Sequence, residues 1–315
     1  MSLKNPLKRE TEYHFFSGKG GVGKTSLAAA AALDFSKKGR KTLLISVDPA
    51  HSLSDSFETK IGGEIKELQK NLFAVEIDPA KAVEEYKEVL TPQLEKMSAL
   101  KSLGLEDTFD IAGMTPGIDE IAAFDKFLRY MHQKEWDIIV FDTAPTGHAL
   151  RFLSLPDVLD SWVGKIIKMK MQFSGMINIF KKVLPFGDSE EDVGGAQLEA
   201  MKERIEEAKK ILSNPKRTRY TIVLNPETMS ILESERSLSV LREYHIPVST
   251  VIVNQILPEN PGCGFCTEKR ALQLKKIEII KEKFSKFKIL QAPLFRQEVK
   301  GIEMLEKLSK QLSPS

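Results

Sequence analysis

Gly18-Lys19-Gly20-Gly21-Val22-Gly23-Lys24-Thr25 is a glycine-rich run that ends in a lysine and a hydroxyl residue. It fits G-x-x-x-x-G-K-[ST], the phosphate-binding loop pattern, and it follows an apolar strand-like stretch and opens an alanine-rich helical one. Glycines let the backbone curl until its N–H groups face phosphate oxygens, and the helix N-terminus adds positive potential. Gly18 through Thr25, with Ser26, are therefore the candidate nucleotide-binding residues. Lys24 would reach the β- and γ-phosphates, and Thr25 would ligate Mg²⁺. The competing reading is a glycine-rich turn with no ligand.

Two carboxylates fall where that chemistry needs them. One apolar run ends in Asp48-Pro49-Ala50-His51, and another ends in Asp142-Thr143-Ala144-Pro145. The carboxyl ends of parallel strands are where open α/β sheets bind ligands. Asp142 would hold Mg²⁺ through water, and Asp48 would orient the water that attacks the γ-phosphate. A carboxylate near its ordinary pKa is a weak base, so Asp48 would act by positioning more than by taking a proton. Either aspartate also reads as a helix cap or turn former. His51 and His148 read equally as supports for these groups or as participants.

Cys263-Gly264-Phe265-Cys266 contains both cysteines of the chain. Thiolates at this spacing can share a soft metal such as Zn²⁺, which wants four ligands when structural. None of the five histidines lies near the pair in sequence, so the simplest completion is the same pair from a symmetric second copy. A redox dithiol and two unpaired buried thiols stay open as alternatives. A thioredoxin-like motif is disfavoured, because the pair is expected in a Pro/Gly-rich loop, Leu257–Phe265, and not at the start of a helix.

The elements that must position these groups are short apolar strands alternating with helical stretches. Tyr13–Ser17, Thr42–Val47, Phe73–Ile77, Asp137–Phe141, Thr221–Leu224, Thr250–Val253 and Ile289–Gln291 read as strands, and Ser26–Ser36 reads as the helix after the first. Continuous runs such as Leu-Leu-Ile-Ser-Val fit parallel strands buried on both faces. The fold class is α/β, a doubly wound, mostly parallel sheet with an inserted all-helical subdomain. Residues 1–80, 136–156 and 216–315 form the nucleotide-binding domain in this reading, and residues 81–135 and 157–215 the helical one. Its hallmark is methionine: Met97, Met114, Met131, Met169, Met171, Met176 and Met201 all lie there, out of 10 in the chain.

Composition narrows the class. With 42% hydrophobic and 29% charged residues over 315 positions, a packed core is available and wholesale disorder is excluded. Lys plus Arg number 46 against 44 Asp plus Glu, a net charge of +2 that is too balanced for binding nucleic acid by charge. No apolar run is long enough to span a membrane, and the charged start does not read as a signal peptide, so a cytoplasmic protein is expected.

Within the second helical interval, Leu159, Trp162, Ile166, Met169, Phe173, Met176, Phe180 and Val183 recur at steps of three and four, widened by Ile177 and its neighbours. Between Asp160 and Asp188 stand five lysines and no acid. A broad, methionine-rich face adapts to varied apolar ligands. Met169, Phe173, Met176, Ile177 and Phe180 are the candidate lining of a groove for an apolar helix. Ordinary core packing and a membrane-surface helix are the other readings.

Taken together, Ser17–Thr25, Ile45–Phe57, Glu76–Pro79, Pro116–Glu120, Asp142–Pro156, Val253–Gln255 and Pro293–Leu305 resemble the arsenite-pump / tail-anchored-protein-targeting ATPase family, over nearly the whole chain. The second lysine of the loop, Lys19, resembles that of deviant P-loop ATPases, in which it crosses a dimer interface to the partner's nucleotide. The resemblance implies ATP and Mg²⁺ as ligands, catalysis by Asp48 with Lys19 in trans, and adenine resting against Asn254 and the segment from Pro293. On the residues alone, Lys19 is also a solvated loop lysine, Asn254 a turn former and Pro293 a strand terminator. Within the family, the single-length homodimeric branch, of the type found in archaea, carries a C-x-x-C and delivers tail-anchored proteins by their transmembrane helix to a membrane receptor. The resemblance therefore implies a homodimer, Zn²⁺ at its interface, and transient contact with a membrane. The other branch energises an arsenite or anion efflux pump and uses upstream cysteines, which this chain lacks before residue 263.

Overall fold

Thr42–Ser46 is buried at every position, and so is Ile138–Asp142. Strands of this kind must be covered on both faces, and the rest of the architecture supplies the cover. The computed structural model describes residues 10–47, 52–78, 126–133, 135–142 and 206–312, with single positions 81, 84 and 203. In chain order they form β1 (Glu12–Ser17), α1 (Lys24–Lys37), β2 (Thr42–Ser46), α2 (Ser52–Phe57), β3 (Lys66–Gln69), β4 (Leu72–Glu76), β5 (Ile138–Asp142), β6 (Thr218–Leu224), α3 (Thr228–Glu243), β7 (Val248–Ile256), α4 (Gly264–Lys283), β8 (Lys288–Pro293) and α5 (Gly301–Leu312).

The eight strands make one sheet in the order β3-β4-β2-β5-β1-β6-β7-β8. Every pairing is parallel except β3 with β4. This is the doubly wound α/β sheet expected from the sequence. All seven anticipated strands are present, and β3 is the addition. Three of its residues, Lys66, Glu67 and Gln69, are polar and only Leu68 is apolar, so no apolar run marks it, and it pairs only at the sheet's edge.

Alternate side chains divide into two cores. On one face Tyr13, Phe15, Ile45, Ile139 and Phe141 join Leu128, Met131, Ala208, Ile211 and Leu238. On the other, Phe16, Leu44, Ile138 and Val140 meet Leu27, Ala29, Leu33, Leu305 and Leu308. The alanine-rich α1 lies against the strands on that second face, and small side chains let it approach closely. Helical residues 126–131 and 206–212 contribute to the first core, so these ends of the two helical intervals pack onto the sheet itself.

The amino-terminal edge of the sheet is held by charge. Arg40 Nη2 donates to Glu12 Oε1 at 3.1 Å, His14 Nε2 lies 3.7 Å from Glu12 Oε2, and the His14 ring sits 4.6 Å from that of Phe35. The nearby His14 ring, and then the Arg40 guanidinium, hold Glu12 at about 2, against an ordinary 4.5. Burial holds His14 below its ordinary 6.5, although Glu12 pulls the other way. Both shifts make the unfolded chain take up protons before the folded one. Stability is therefore whole above about pH 6.5 and lost on acidification, the Glu12 share between 4.5 and about 2. The melting-temperature advantage of the natural chain over Glu12→Gln should be steady near neutrality and shrink below pH 4.5. A difference that stays constant down to about pH 3.5 would remove this assignment.

Candidate active site

The site lies at the opposite edge, where the strands end. Gly18 follows β1 and passes under β6 so closely that a Cβ on it would stand 2.0 Å from the Val223 carbonyl oxygen. Gly23 closes the loop in the left-handed region, with φ 87°, and is the N-cap of α1. Among the described residues no side chain caps α1, and its first turn holds no acid, which leaves its leading N–H groups suited to a phosphate. Lys24 is buried within the loop and its ammonium donates to the Lys19 carbonyl at 3.3 Å.

The loop is also braced from β7. Asn254 Nδ2 donates to the Val22 carbonyl at 2.8 Å, and Gln255 Nε2 donates to that of Gly21 at 3.1 Å. Gln255 reaches across from a left-handed backbone, with φ 59°. Gln273 of α4 fixes it in turn. Its Nε2 donates to the Gln255 carbonyl at 3.2 Å, and its Oε1 accepts from the Leu257 N–H at 2.8 Å. The Asn254 amide expected at adenine thus has its nitrogen on the loop, while the residue still lines the cleft. Gln255 stood in one of the family-like segments without a role assigned to it, and Gln273 carried no signal, since a glutamine inside a helix is ordinary.

Thr25 Oγ1 donates to Asp142 Oδ2 at 2.7 Å, and Ser46 Oγ donates to the same oxygen at 3.4 Å. Thr25 and Asp142 are 117 positions apart in the chain, and β1, β5 and α1 bring them together. A hydroxyl and a carboxylate are hard oxygen donors of the kind Mg²⁺ takes. A cleft of about 1140 Å³ opens beside them, lined by Gly23, Thr25, Ser26, Asn254 and Pro293. Pro293 ends β8, and with Leu294 and Phe295 it gives the cleft an apolar side suited to a flat base. Asp48, His51 and His148 lie outside the described residues, as do Met169, Phe173, Met176, Ile177 and Phe180.

The cysteine pair departs from expectation. Cys263 is the N-cap of α4, and its sulfur accepts from the Cys266 N–H at 3.2 Å. The pair therefore opens a helix instead of sitting wholly in a loop, because the Pro/Gly-rich stretch ends at the cap itself. The two sulfurs are joined as a disulfide. Among the described residues, no group of three or more His, Cys, Asp or Glu is placed to hold a metal.

A twisted parallel sheet that runs from its central strand through a glycine cradle into Lys-Thr, with an aspartate on the neighbouring strand bound to that threonine, is the framework of P-loop nucleoside triphosphatases. Within that class the chain belongs to the anion-transporting ATPase family, whose match extends over residues 11–314. It is 37% identical over 316 residues to the ATPase get3 of Schizosaccharomyces pombe, covering 99% of this chain and 94% of the relative. It is 37% identical to the ATPase GET3 of Podospora anserina, covering 97% and 91%, and 38% identical to the ATPase GET3C of Arabidopsis thaliana, covering 94% and 81%. The chain is thus an ATPase that uses ATP and Mg²⁺.

Proposed function

We propose that the chain works as a homodimeric carrier that shields the transmembrane helix of tail-anchored membrane proteins and delivers them to a membrane receptor, with ATP as its timer. The observation that carries this reading is the end-to-end likeness to ATPases named get3, on a chain with a complete phosphate loop. Residues 81–135 and 157–215 would form the client-binding part, with Met169, Phe173, Met176, Ile177 and Phe180 lining the groove. The protein would reside in the cytoplasm and touch the membrane only at delivery. No helix of the described residues is long and apolar enough to cross one.

In the ATPase cycle, backbone N–H groups of the loop would hold the phosphates, and Pro293 with Asn254 would flank the base. Thr25, and Asp142 through water, would hold Mg²⁺, which would supply charge neutralisation at the phosphates. Asp48 would orient the attacking water, and Lys19 of the opposite subunit would stabilise charge that grows on the transferred group. Such a contact favours the closed dimer only because the open form lacks it. In their reduced form, Cys263 and Cys266 would supply two of four thiolates to a Zn²⁺ shared between subunits, as one chain offers no third ligand among its described residues.

Co-expression with a tail-anchored substrate, then sizing and metal analysis without detergent, tests the reading. A complex holding client and about one zinc per two chains is expected. Failure to hold any transmembrane peptide, combined with ATPase activity stimulated by arsenite, would replace the carrier with a pump-driving subunit.

A further inference from the structure

Glu76 is a carboxylate with almost no contact with water, 1% exposed, at the end of β4. Burying a charge is costly unless hydrogen bonds replace its hydration. Here each oxygen accepts a bond from the same residue of α2. Oε1 accepts from the Ser54 N–H at 2.9 Å, and Oε2 accepts from the Ser54 hydroxyl at 2.7 Å. The Ser54 oxygen accepts in turn from the Ile61 N–H at 3.0 Å, and the Glu76 N–H donates to the Gly62 carbonyl at 2.9 Å. Charge-assisted bonds of this length are stronger and more directional than neutral ones. One carboxylate thus ties down α2 and the turn that follows it.

Its place in the sheet gives the clamp a purpose. Ser46 of β2 pairs with Glu76 on one side and with Asp142 on the other. Glu76, Ser46 and Asp142 therefore form one row across the strand ends. Asp142 holds Thr25, and Glu76 holds Ser54. Between the fixed end of β2 and the first residue of α2 run only residues 48–51, beginning with Asp48. Val47 is tied to the sheet by its N–H to the Asp142 carbonyl at 3.2 Å, and α2 is seated by buried Leu53 and Phe57. Ser54, Glu76 and Thr25 line the same cleft.

We propose that Glu76 is a positioning residue of ATP hydrolysis: it latches α2 through Ser54, so that α2 is held after the short stretch carrying Asp48 as Val47 is held before it. The proposal rests on the reading of Asp48 as the residue that orders the attacking water. Glu76 acts through α2, by its two bonds to Ser54. Loss of the latch should therefore slow turnover and leave nucleotide affinity alone, since the loop, Asn254 and Asp142 keep their bonds.

The test compares Glu76→Gln, Ser54→Ala and the double variant in the full-length chain. Steady-state kcat and KM for ATP, affinity for a fluorescent ATP analogue, and amide exchange over residues 52–57 are the readouts. Each single variant should lower kcat about tenfold, with KM and affinity within about twofold of the natural chain. The double variant should be no slower than the slower single, because both break one contact. Exchange in α2 should quicken while that of α1 does not. An unchanged kcat, additive losses, or a loss confined to KM and affinity would overturn the latch. If Glu76→Gln does not fold, half-buried Ser54 alone decides by the same criteria. Asp48→Asn in the same assay separates the two ideas. If it turns over normally, the reading of Asp48 fails and the latch, left with no catalytic group to position, falls with it, whatever Glu76→Gln does. If it is inactive while Glu76→Gln is not, the latch fails and Asp48 stands.

Discussion

The Asp48→Asn chain is expected to bind ATP as the natural chain does and to hydrolyse it at least about 100-fold more slowly. Asparagine keeps the size and one acceptor oxygen but gives up the charge and symmetry of the carboxylate. The groups that would hold ground-state nucleotide are elsewhere: the loop braced by Asn254 and Gln255, and the Thr25–Asp142 pair. Affinity should therefore survive. A loss in kcat with affinity retained is the mark of an interaction made only in the transition state. The expected position of Asp48 is anchored by sequence and strand. It directly follows Val47, whose N–H bonds the Asp142 carbonyl at 3.2 Å, so the chain leaves β2 next to the strand end that holds Thr25. Binding by fluorescence titration and turnover by phosphate release settle the matter in one preparation. Normal phosphate release would take Asp48 out of the mechanism. A variant that loses binding and turnover together would make Asp48 a ground-state contact instead.

The parts of this architecture that were legible from sequence are those whose physics is local. Leu43, Leu44 and Ile45 form an unbroken apolar run because the strand is covered on both sides, and that is visible without a structure. The loop from Gly18 to Thr25 is legible because its backbone geometry restricts residue type: Gly18 has no room for a Cβ, and Gly23 adopts a positive φ. Asp142 was legible because it ends an apolar run. What escaped depends on pairs far apart in sequence or on polar residues of common type. Glu76 and Ser54 are 22 positions apart, and neither carries a motif that names the other. Gln255 looks like an ordinary polar residue until the structure shows its amide on Gly21. The start of α4 was missed for a different reason. Its cap is a cysteine sulfur, and the usual signal is a hydroxyl or carboxamide.

Lys19 makes the second large prediction, and its test depends on symmetry. Lys19 is a half-exposed lysine whose carbonyl accepts from Lys24 at 3.3 Å, so within one chain the residue helps shape the loop through its backbone. If its ammonium serves the opposite subunit, Lys19→Ala should keep its loop and its affinity for nucleotide. It should lose turnover on the scale of a finger supplied in trans, about 1000-fold. A loss of rate does not tell cis from trans, but mixing does. Consider a dimer of one Lys19→Ala chain and one Asp48→Asn chain. Acting in trans, the intact Lys19 of the second chain completes the site whose Asp48 is intact, and one site of the two regains activity. Acting in cis, each site lacks one of its two groups, and the mixture stays inactive. Random pairing of equal amounts makes half the dimers mixed, so the mixture should recover about a quarter of the natural rate. The recovery should appear only after subunits exchange, and it should vanish when each variant is cross-linked to itself beforehand. An inactive mixture of well-folded, exchanging dimers would return Lys19 to its own chain's site. Turnover by Lys19→Ala alone at the natural rate would remove the residue from the reaction, and with it the reason for ATP to favour a closed dimer.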